Sequence, residues 1–126
     1  MLGAAEVVAF VPSTDLVRSE RFYVDVLGLE PVDRSPYASE LRCGSTTVRV
    51  TKVDELRPQP FTVLGWSVPD LRSVVAQARA RDVDLLRYDG LGQDDDGVWT
   101  TPTGDLVAWF PDPDGNVLSL TQLSGP

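Results

Sequence analysis

Trp109-Phe110-Pro111-Asp112-Pro113-Asp114-Gly115-Asn116-Val117-Leu118-Ser119-Leu120-Thr121 sets a turn signal between two strand-like runs near the end of the chain. In Asp112-Pro113-Asp114-Gly115, proline presets φ at the second position, aspartate tolerates the third, and glycine takes the positive φ that reverses the chain. The flanks, residues 105–110 and 117–121, are β-rich, and the second alternates as a half-buried strand does. A C-terminal antiparallel hairpin is therefore expected.

Working back to the N-terminus, residues 6–11 read as a strand closed by Pro12, and Ser13-Thr14-Asp15 reads as a helix-capping signal. Leu16, Phe22, Tyr23, Val26 and Leu27 recur at roughly helical spacing until Gly28 supplies a stop. Strand-like runs follow at 30–33, 39–43 and 46–53, punctuated by Arg34-Ser35-Pro36 and Gly44-Ser45. The first half is thus predicted as βαβββ. Arg57-Pro58-Gln59-Pro60 breaks the pattern, because two such prolines fit neither a helix interior nor a central strand.

After that linker come a strand at 61–68, a start signal at Pro69-Asp70, and an amphipathic helix over 71–81 with Leu71, Val74, Val75 and Ala78 on one side. A run at 83–86, a Gly/Asp-rich loop at 88–97, a strand at 98–101, a turn at 103–105 and the terminal hairpin complete a second βαβββ unit. Local sequence repeats too: Val11-Pro12-Ser13-Thr14-Asp15-Leu16 answers Val68-Pro69-Asp70-Leu71, and the run from Gly44 answers that from Gly115. The expected fold class is α+β: one domain over 1–126 built from module 1 at 1–57 and module 2 at 58–126.

Composition bounds the partners. The chain has 126 residues, 42% hydrophobic, with a formal net charge of −8. That charge disfavours a nucleic-acid backbone or an anionic membrane surface and suits a neutral or cationic ligand. One cysteine, Cys43, leaves no internal disulfide and no C-x-x-C pair, which fits a reducing cytoplasm. Cys43 itself reads as a buried structural thiol. The N-terminus lacks both the charged flank and the length of a signal peptide or membrane span. No histidine is present, so neither a Ser-His-Asp triad nor a Cys-His pair can be assembled, and the commonest imidazole donor for Zn, Ni or Fe(II) is missing. Asp94-Asp95-Asp96 lacks the ligand spacing of a calcium loop and reads as a solvated acidic loop with the option of a lid. Asp112 and Asp114 read as turn chemistry.

Phe22-Tyr23-Val24-Asp25-Val26-Leu27-Gly28-Leu29-Glu30, taken with Phe110-Pro111-Asp112-Pro113-Asp114-Gly115-Asn116 in the other half, resembles the vicinal oxygen chelate superfamily. That group includes glyoxalase I, extradiol dioxygenases, fosfomycin-inactivating transferases and bleomycin-resistance proteins. The resemblance implies two βαβββ modules whose mixed sheet curls into an open cup with helices outside, commonly in a homodimer. A dimer is also expected because open sheet edges and apolar rims are costly in water.

The family's enzymes hold a divalent ion with His or Glu near the start of each module and Glu on each last strand. Carried onto this chain, those positions fall at Val7 or Val8, Thr62 or Val63, Val48 or Arg49, and Ser119. None is a credible ligand, and a guanidinium has no lone pair to give. The expectation is no metal and no cofactor.

The resemblance implies that Ser119, at the family's metal position, faces the cup, and alternation then puts Val117 and Thr121 on the same face. By resemblance Trp109 precedes the Phe of the second motif at a substrate-touching position; it either lines the cup or packs in the core. Trp66, on the opposite parity from Val63, is expected to face the helices. Trp99 could close the mouth, and Arg49 either reaches inside or forms a surface salt bridge. The candidate ligand-binding set is Trp109, Ser119, Arg49, Trp99, Thr121, Val63, Val8 and Thr47, with no catalytic residue assigned. Two functions lead: a metal-free module sequestering a small organic ligand, aromatic or cationic, or a lyase, isomerase or dioxygenase with a non-standard metal site or none, the metal-independent form using Arg49, Glu40 or Tyr37 for polar work. A third, a structural partner protein whose cup has closed, would show large side chains filling the interior.

Overall fold

The computed structural model describes residues 1–125. The chain forms two compact units, Met1–Arg57 and a second from Pro58 onward, meeting at the proline-rich linker.

In the first unit β1 (Val8–Ser13) leads into α1 (Leu16–Glu20), followed by β2 (Glu30–Arg34), β3 (Ala38–Cys43) and β4 (Thr46–Lys52). The sheet order is β1-β4-β3-β2, with β1 parallel to β4 and the other pairs antiparallel. The second unit repeats this order: β5 (Thr62–Ser67), α2 (Leu71–Ala80), β6 (Trp99–Thr100), β7 (Leu106–Pro111) and β8 (Val117–Gln122) form a sheet β5-β8-β7-β6 with β5 parallel to β8. The α+β architecture of two βαβββ modules is thus present.

The same cap starts each helix. Asp15 accepts a hydrogen bond from the Arg18 N–H, and Asp70 from the Ser73 N–H, each at 3.1 Å, satisfying a donor the helix leaves unpaired. In the second unit Gln122, at the end of β8, also accepts from the Leu71 N–H at 2.8 Å, tying the helix start to the last strand.

Four local expectations change. β1 starts and ends two residues later than the sequence suggests: Pro12 lies inside it, opposite Thr51, because β1 is an edge strand and an edge tolerates the missing N–H. The first helix continues beyond Glu20 as a π-helical segment, Arg21–Val26, with the Leu27 N–H bonded to the Phe22 carbonyl at 3.0 Å; it stops at Gly28, whose φ is +83°. Residues 83–86 form no strand, although the Leu86 N–H donates to the Trp109 carbonyl at 2.7 Å. Cys43 is half-buried at the end of β3 rather than enclosed.

Each sheet buries the face that its helix covers. In the first unit that face carries Val11, Leu41, Val48 and Val50, with Tyr23 fully buried from the helical segment. In the second it carries Ala108, Phe110, Leu118 and Leu120, with Leu71 and Val75 from α2. At roughly 1.5–3 kcal/mol per large apolar side chain, these clusters are the main stabilising term in each unit. Trp66 stacks on Phe110 at 6.4 Å on this face, as its parity requires.

The terminal hairpin is closed by a side chain as well as by its backbone. Asp112 Oδ1 accepts from the N–H groups of Asp114 and Asn116, both at 2.9 Å, and Asp112 Oδ2 accepts from Asn116 Nδ2 at 2.8 Å. Both side chains are nearly inaccessible, at 5% and 2%. Gly115 takes φ +87°, and the space a Cβ would need there is occupied 3.0 Å away by Pro58.

Candidate functional site

Strand parity and register fix the residues on the sheet face opposite each helix. In the second unit Trp109 stands across from Ser119, Val107 from Thr121, and Trp99 from Val107; Gly65 and Ser67 of β5 lie beside Ser119 and Thr121. In the first unit Arg49 stands between Phe10 on β1 and Glu40 on β3, and Thr47 between Val8 and Arg42. The modules correspond position by position, with Arg49, Glu40 and Phe10 where the second has Ser119, Trp109 and Gly65. Of the two last-strand positions weighed for the first module, Val48 is buried under the helix and Arg49 lies on the open face.

The open face of the second unit is aromatic. Trp99 and Trp109 stack with centroids 6.1 Å apart and planes 26° from parallel. Tyr88 meets Trp109 edge-on at 5.3 Å and 90°, an arrangement that places a positive ring edge against a negative ring face. Trp109 and Trp99 are half-buried, and Tyr88 keeps 38% of its surface exposed. Next to them Ser119 Oγ sits over Gly65, 2.6 Å from where a Cβ on that glycine would be, so the hydroxyl occupies space only a glycine leaves. Thr121 is half-buried on the same face. Val63 is the extra residue of a bulge in β5, between Thr62 and Leu64, and is 36% exposed.

On the first unit Arg49 forms an ion pair with Glu40, and its guanidinium lies 5.6 Å from the Phe10 ring centroid, within cation–π range. The pair is flanked by exposed apolar surface, Phe10 at 58% and Val8 at 42%. Thr51, in the next row, has a buried hydroxyl oxygen with no hydrogen-bond partner. Tyr37 stands exposed in the turn between β2 and β3. A groove of about 360 Å³ lies on the helix side of this unit, lined by Val17, Glu20, Arg21, Val24, Asp25 and Arg34, where Glu20 already accepts from Arg34 Nε and from the Ser39 hydroxyl. It belongs to the opposite side of the sheet from Arg49.

The donor set at the positions where the resembled enzymes hold a metal does not fit a divalent ion. Val8, Thr62 or Val63, and Arg49 offer no anionic or imidazole ligand, and Ser119 offers one neutral oxygen that already abuts β5. Among the described residues no group of three or more His, Cys, Asp or Glu side chains is placed to hold a metal ion.

The 94–96 loop is at the surface, as its acidic sequence suggests, and is also held there by arginines. Arg72 bonds Asp94 at 2.9 Å and Asp96 at 3.3 Å, and Arg79 bonds the Asp96 carboxylate at 3.1 Å and its carbonyl at 2.9 Å. Arg87 donates to the carbonyls of Asp94 and Asp95 at 3.0 and 2.6 Å. Asp94 Oδ1 also accepts from the N–H groups of Asp96 and Val98 at 3.0 Å. Partial burial pushes the Asp94 carboxyl up, but the bonds from Val98, Arg72 and Asp96 outweigh it and hold the group below the usual carboxylate range. Arg72 and Arg79 pair the carboxylates of Asp94 and Asp96, and Arg87 holds the backbone of the turn, while the side chains stay at the surface. The sequence carried a signal for this: Arg72 and Arg79 lie seven residues apart on one helix face. Tyr88 was missed because nothing in a Gly/Asp-rich loop fixes where a ring points.

The family model of the glyoxalase/bleomycin resistance protein/dioxygenase superfamily matches residues 5–120. The fold is similar to that of a bleomycin resistance determinant encoded on the transposon Tn5, with TM-score 0.76 and 21% identity over 97% of this chain and 100% of the other. It is likewise similar to a lactoylglutathione lyase from Agrobacterium tumefaciens, with TM-score 0.74 and 19% identity over 94% and 93% of the two chains. A superfamily member from Sphaerobacter thermophilus gives TM-score 0.75 and 22% identity over 98% and 100%. No curated protein matches. No helix is long and apolar enough to cross a membrane among the described residues. Two βαβββ modules of identical strand order, the Phe110–Asn116 turn and a match over almost the whole length lead to one conclusion: the chain belongs to the glyoxalase/bleomycin resistance protein/dioxygenase superfamily.

Proposed function

We propose that this protein binds a small, flat organic cation on the aromatic face of its second module and does so without a metal. The supporting observation is the cluster of Tyr88, Trp99 and Trp109 beside the Ser119 hydroxyl. It lies in the half of the chain that carries ten acidic against four basic residues. Three of those four, Arg72, Arg79 and Arg87, are engaged by the 94–96 loop. An indole face attracts a cation by about 0.5–2 kcal/mol beyond the gain from area burial, and a negative field raises the local concentration of a positive ligand. Trp109, Trp99, Ser119 and Thr121 are the contact residues on this face, with Val63 of the same module a secondary contact; Arg49, Thr47 and Val8 belong to the first module and are left out of this site.

A homodimer in the cytoplasm is part of the proposal, because exposed Phe10 and Val8 leave apolar surface on the first module. Light scattering is expected to give twice the 13.7 kDa chain mass. A second reading, a lyase or isomerase, rests on the Arg49–Glu40 pair. A panel of flat cations, their neutral analogues and aromatic carboxylates, titrated by tryptophan fluorescence and assayed for turnover, separates the two. Saturable binding that favours cations supports the binding module; conversion of a compound at a rate abolished by Arg49→Ala would replace it with the enzyme.

A further inference from the structure

Tyr88 belongs to a segment with no regular structure, yet it meets Trp109 at a defined angle. One side chain accounts for this. Gln93 Oε1 accepts from the Tyr88 N–H at 2.7 Å, while Gln93 Nε2 donates to the Leu86 carbonyl at 2.9 Å and to the Gly97 carbonyl at 2.8 Å. The same amide therefore ties the residue two before Tyr88, Tyr88 itself, and the end of the loop. At one end the tie reaches the sheet, since the Leu86 N–H bonds the Trp109 carbonyl at 2.7 Å. At the other, Gly97 leads directly into Val98 and Trp99; the Val98 N–H and carbonyl are both held by Asp94, which Arg72 pins to α2.

We propose that Gln93 is a positioning residue for the ligand face: its amide orders Tyr88 against Trp109 before any ligand arrives, and the arginine-held 94–96 turn keeps Trp99 in stack with the same ring. The ligand then meets a wall already assembled and loses little affinity to ordering it. In its ligand consequence this rests on the binding function proposed above; in its ligand-free consequence it does not. A primary amide suits the task, because it presents one acceptor and two donors in a plane, and all three are used here.

The test compares wild type, Gln93→Ala, Tyr88→Ala and the double variant. Acrylamide quenching of tryptophan and the near-ultraviolet circular dichroism of the stacked indoles are read without ligand, and affinity is read with N-methylquinolinium as probe. Gln93→Ala is expected to raise acrylamide access and reduce the aromatic dichroism as Tyr88→Ala does. The double variant should go no further, since two residues acting through one contact are not additive. Probe affinity should fall roughly three- to tenfold in each single variant and no more in the double. Gln93→Glu keeps the acceptor for Tyr88 but sets a carboxylate oxygen against the Leu86 and Gly97 carbonyls, so it should disorder Tyr88 no less than Gln93→Ala does. The near-isosteric Gln93→Met, which loses all three bonds, serves if the alanine variant does not fold. Unchanged quenching in the Gln93 variants, or additive effects with Tyr88→Ala, would overturn the positioning role. Absence of probe binding by wild type, with the ligand-free coupling intact, would instead count against the cation ligand alone.

Discussion

Replacing Asp112 with alanine tests whether the terminal hairpin is held by its own side chains. The carboxylate accepts from two backbone N–H groups and one side-chain amide. Of those donors, the Asp114 N–H is nearer the surface and can turn to water. The Asn116 N–H cannot, because Asn116 is 2% exposed. Leaving a buried donor unpaired costs about 1–3 kcal/mol, which puts the loss for Asp112→Ala at about 2 kcal/mol. For a domain of this size that is a fall in Tm of roughly 8 °C. Asp112→Asn keeps one acceptor oxygen for both backbone N–H groups, and Asn116 can rotate its amide to face the new side chain; its cost should be about 1 kcal/mol. Reversible thermal melts followed by circular dichroism read both. The reasoning is refuted if Asp112→Ala melts within 2 °C of wild type, a margin well inside the roughly 4 °C expected per kcal/mol, or if the asparagine variant is the less stable of the two.

Gly65→Ala brings a Cβ within 2.6 Å of Ser119 Oγ, so it should cost about 1–2 kcal/mol. Ser119→Ala should restore most of that, and a cycle with no coupling would contradict the close approach. Asp82 holds φ at +61° at the end of α2, where the Val83 N–H bonds the Ala78 carbonyl and the Asp82 N–H bonds the Arg79 carbonyl; Asp82→Gly should therefore stabilise by about 0.5 kcal/mol, and a lower Tm would count against it. Because the Asp94 carboxyl is held below its unfolded value, its contribution is fully present above about pH 4 and lost as pH falls through the folded value. A urea titration series from pH 6 to pH 2 should show that loss, and Asp94→Asn should remove its share; an unaltered pH profile in the variant would refute the assignment.

Much of the fold could be read because its signals are local. Asp15 and Asp70 announce helix starts three residues before the N–H they cap, and Asp112-Pro113-Asp114-Gly115 specifies its turn without help from the rest of the chain. The boundaries that moved depend on neighbours. Pro12 is tolerated because β1 has a partner on only one side, a fact of sheet order that local sequence does not contain. The π-helical segment has no propensity signal, since its residues suit an α-helix equally well. On the candidate face, the resemblance pointed to Ser119 and Trp109, parity added Thr121 and turned Trp66 away, and only the strand register decides that Trp109 stands beside Ser119 rather than in the core. Tyr88 and Gln93 required the loop's own hydrogen bonds, which run between residues whose spacing follows no period.

The three tryptophans allow the binding claim to be tested residue by residue, because each contributes one indole Nε1–H resonance. Trp99 and Trp109 stand on the proposed ligand face, and Trp66 is stacked on Phe110 beneath the helix. Two-dimensional nuclear magnetic resonance of the nitrogen-15-labelled protein, titrated with N-methylquinolinium, should shift the Trp99 and Trp109 signals saturably and together while Trp66 stays in place. Movement of Trp66 in their stead, or no movement of either face-side indole at millimolar probe, the weak end of measurable affinity at about 4 kcal/mol, would contradict the assignment of the site.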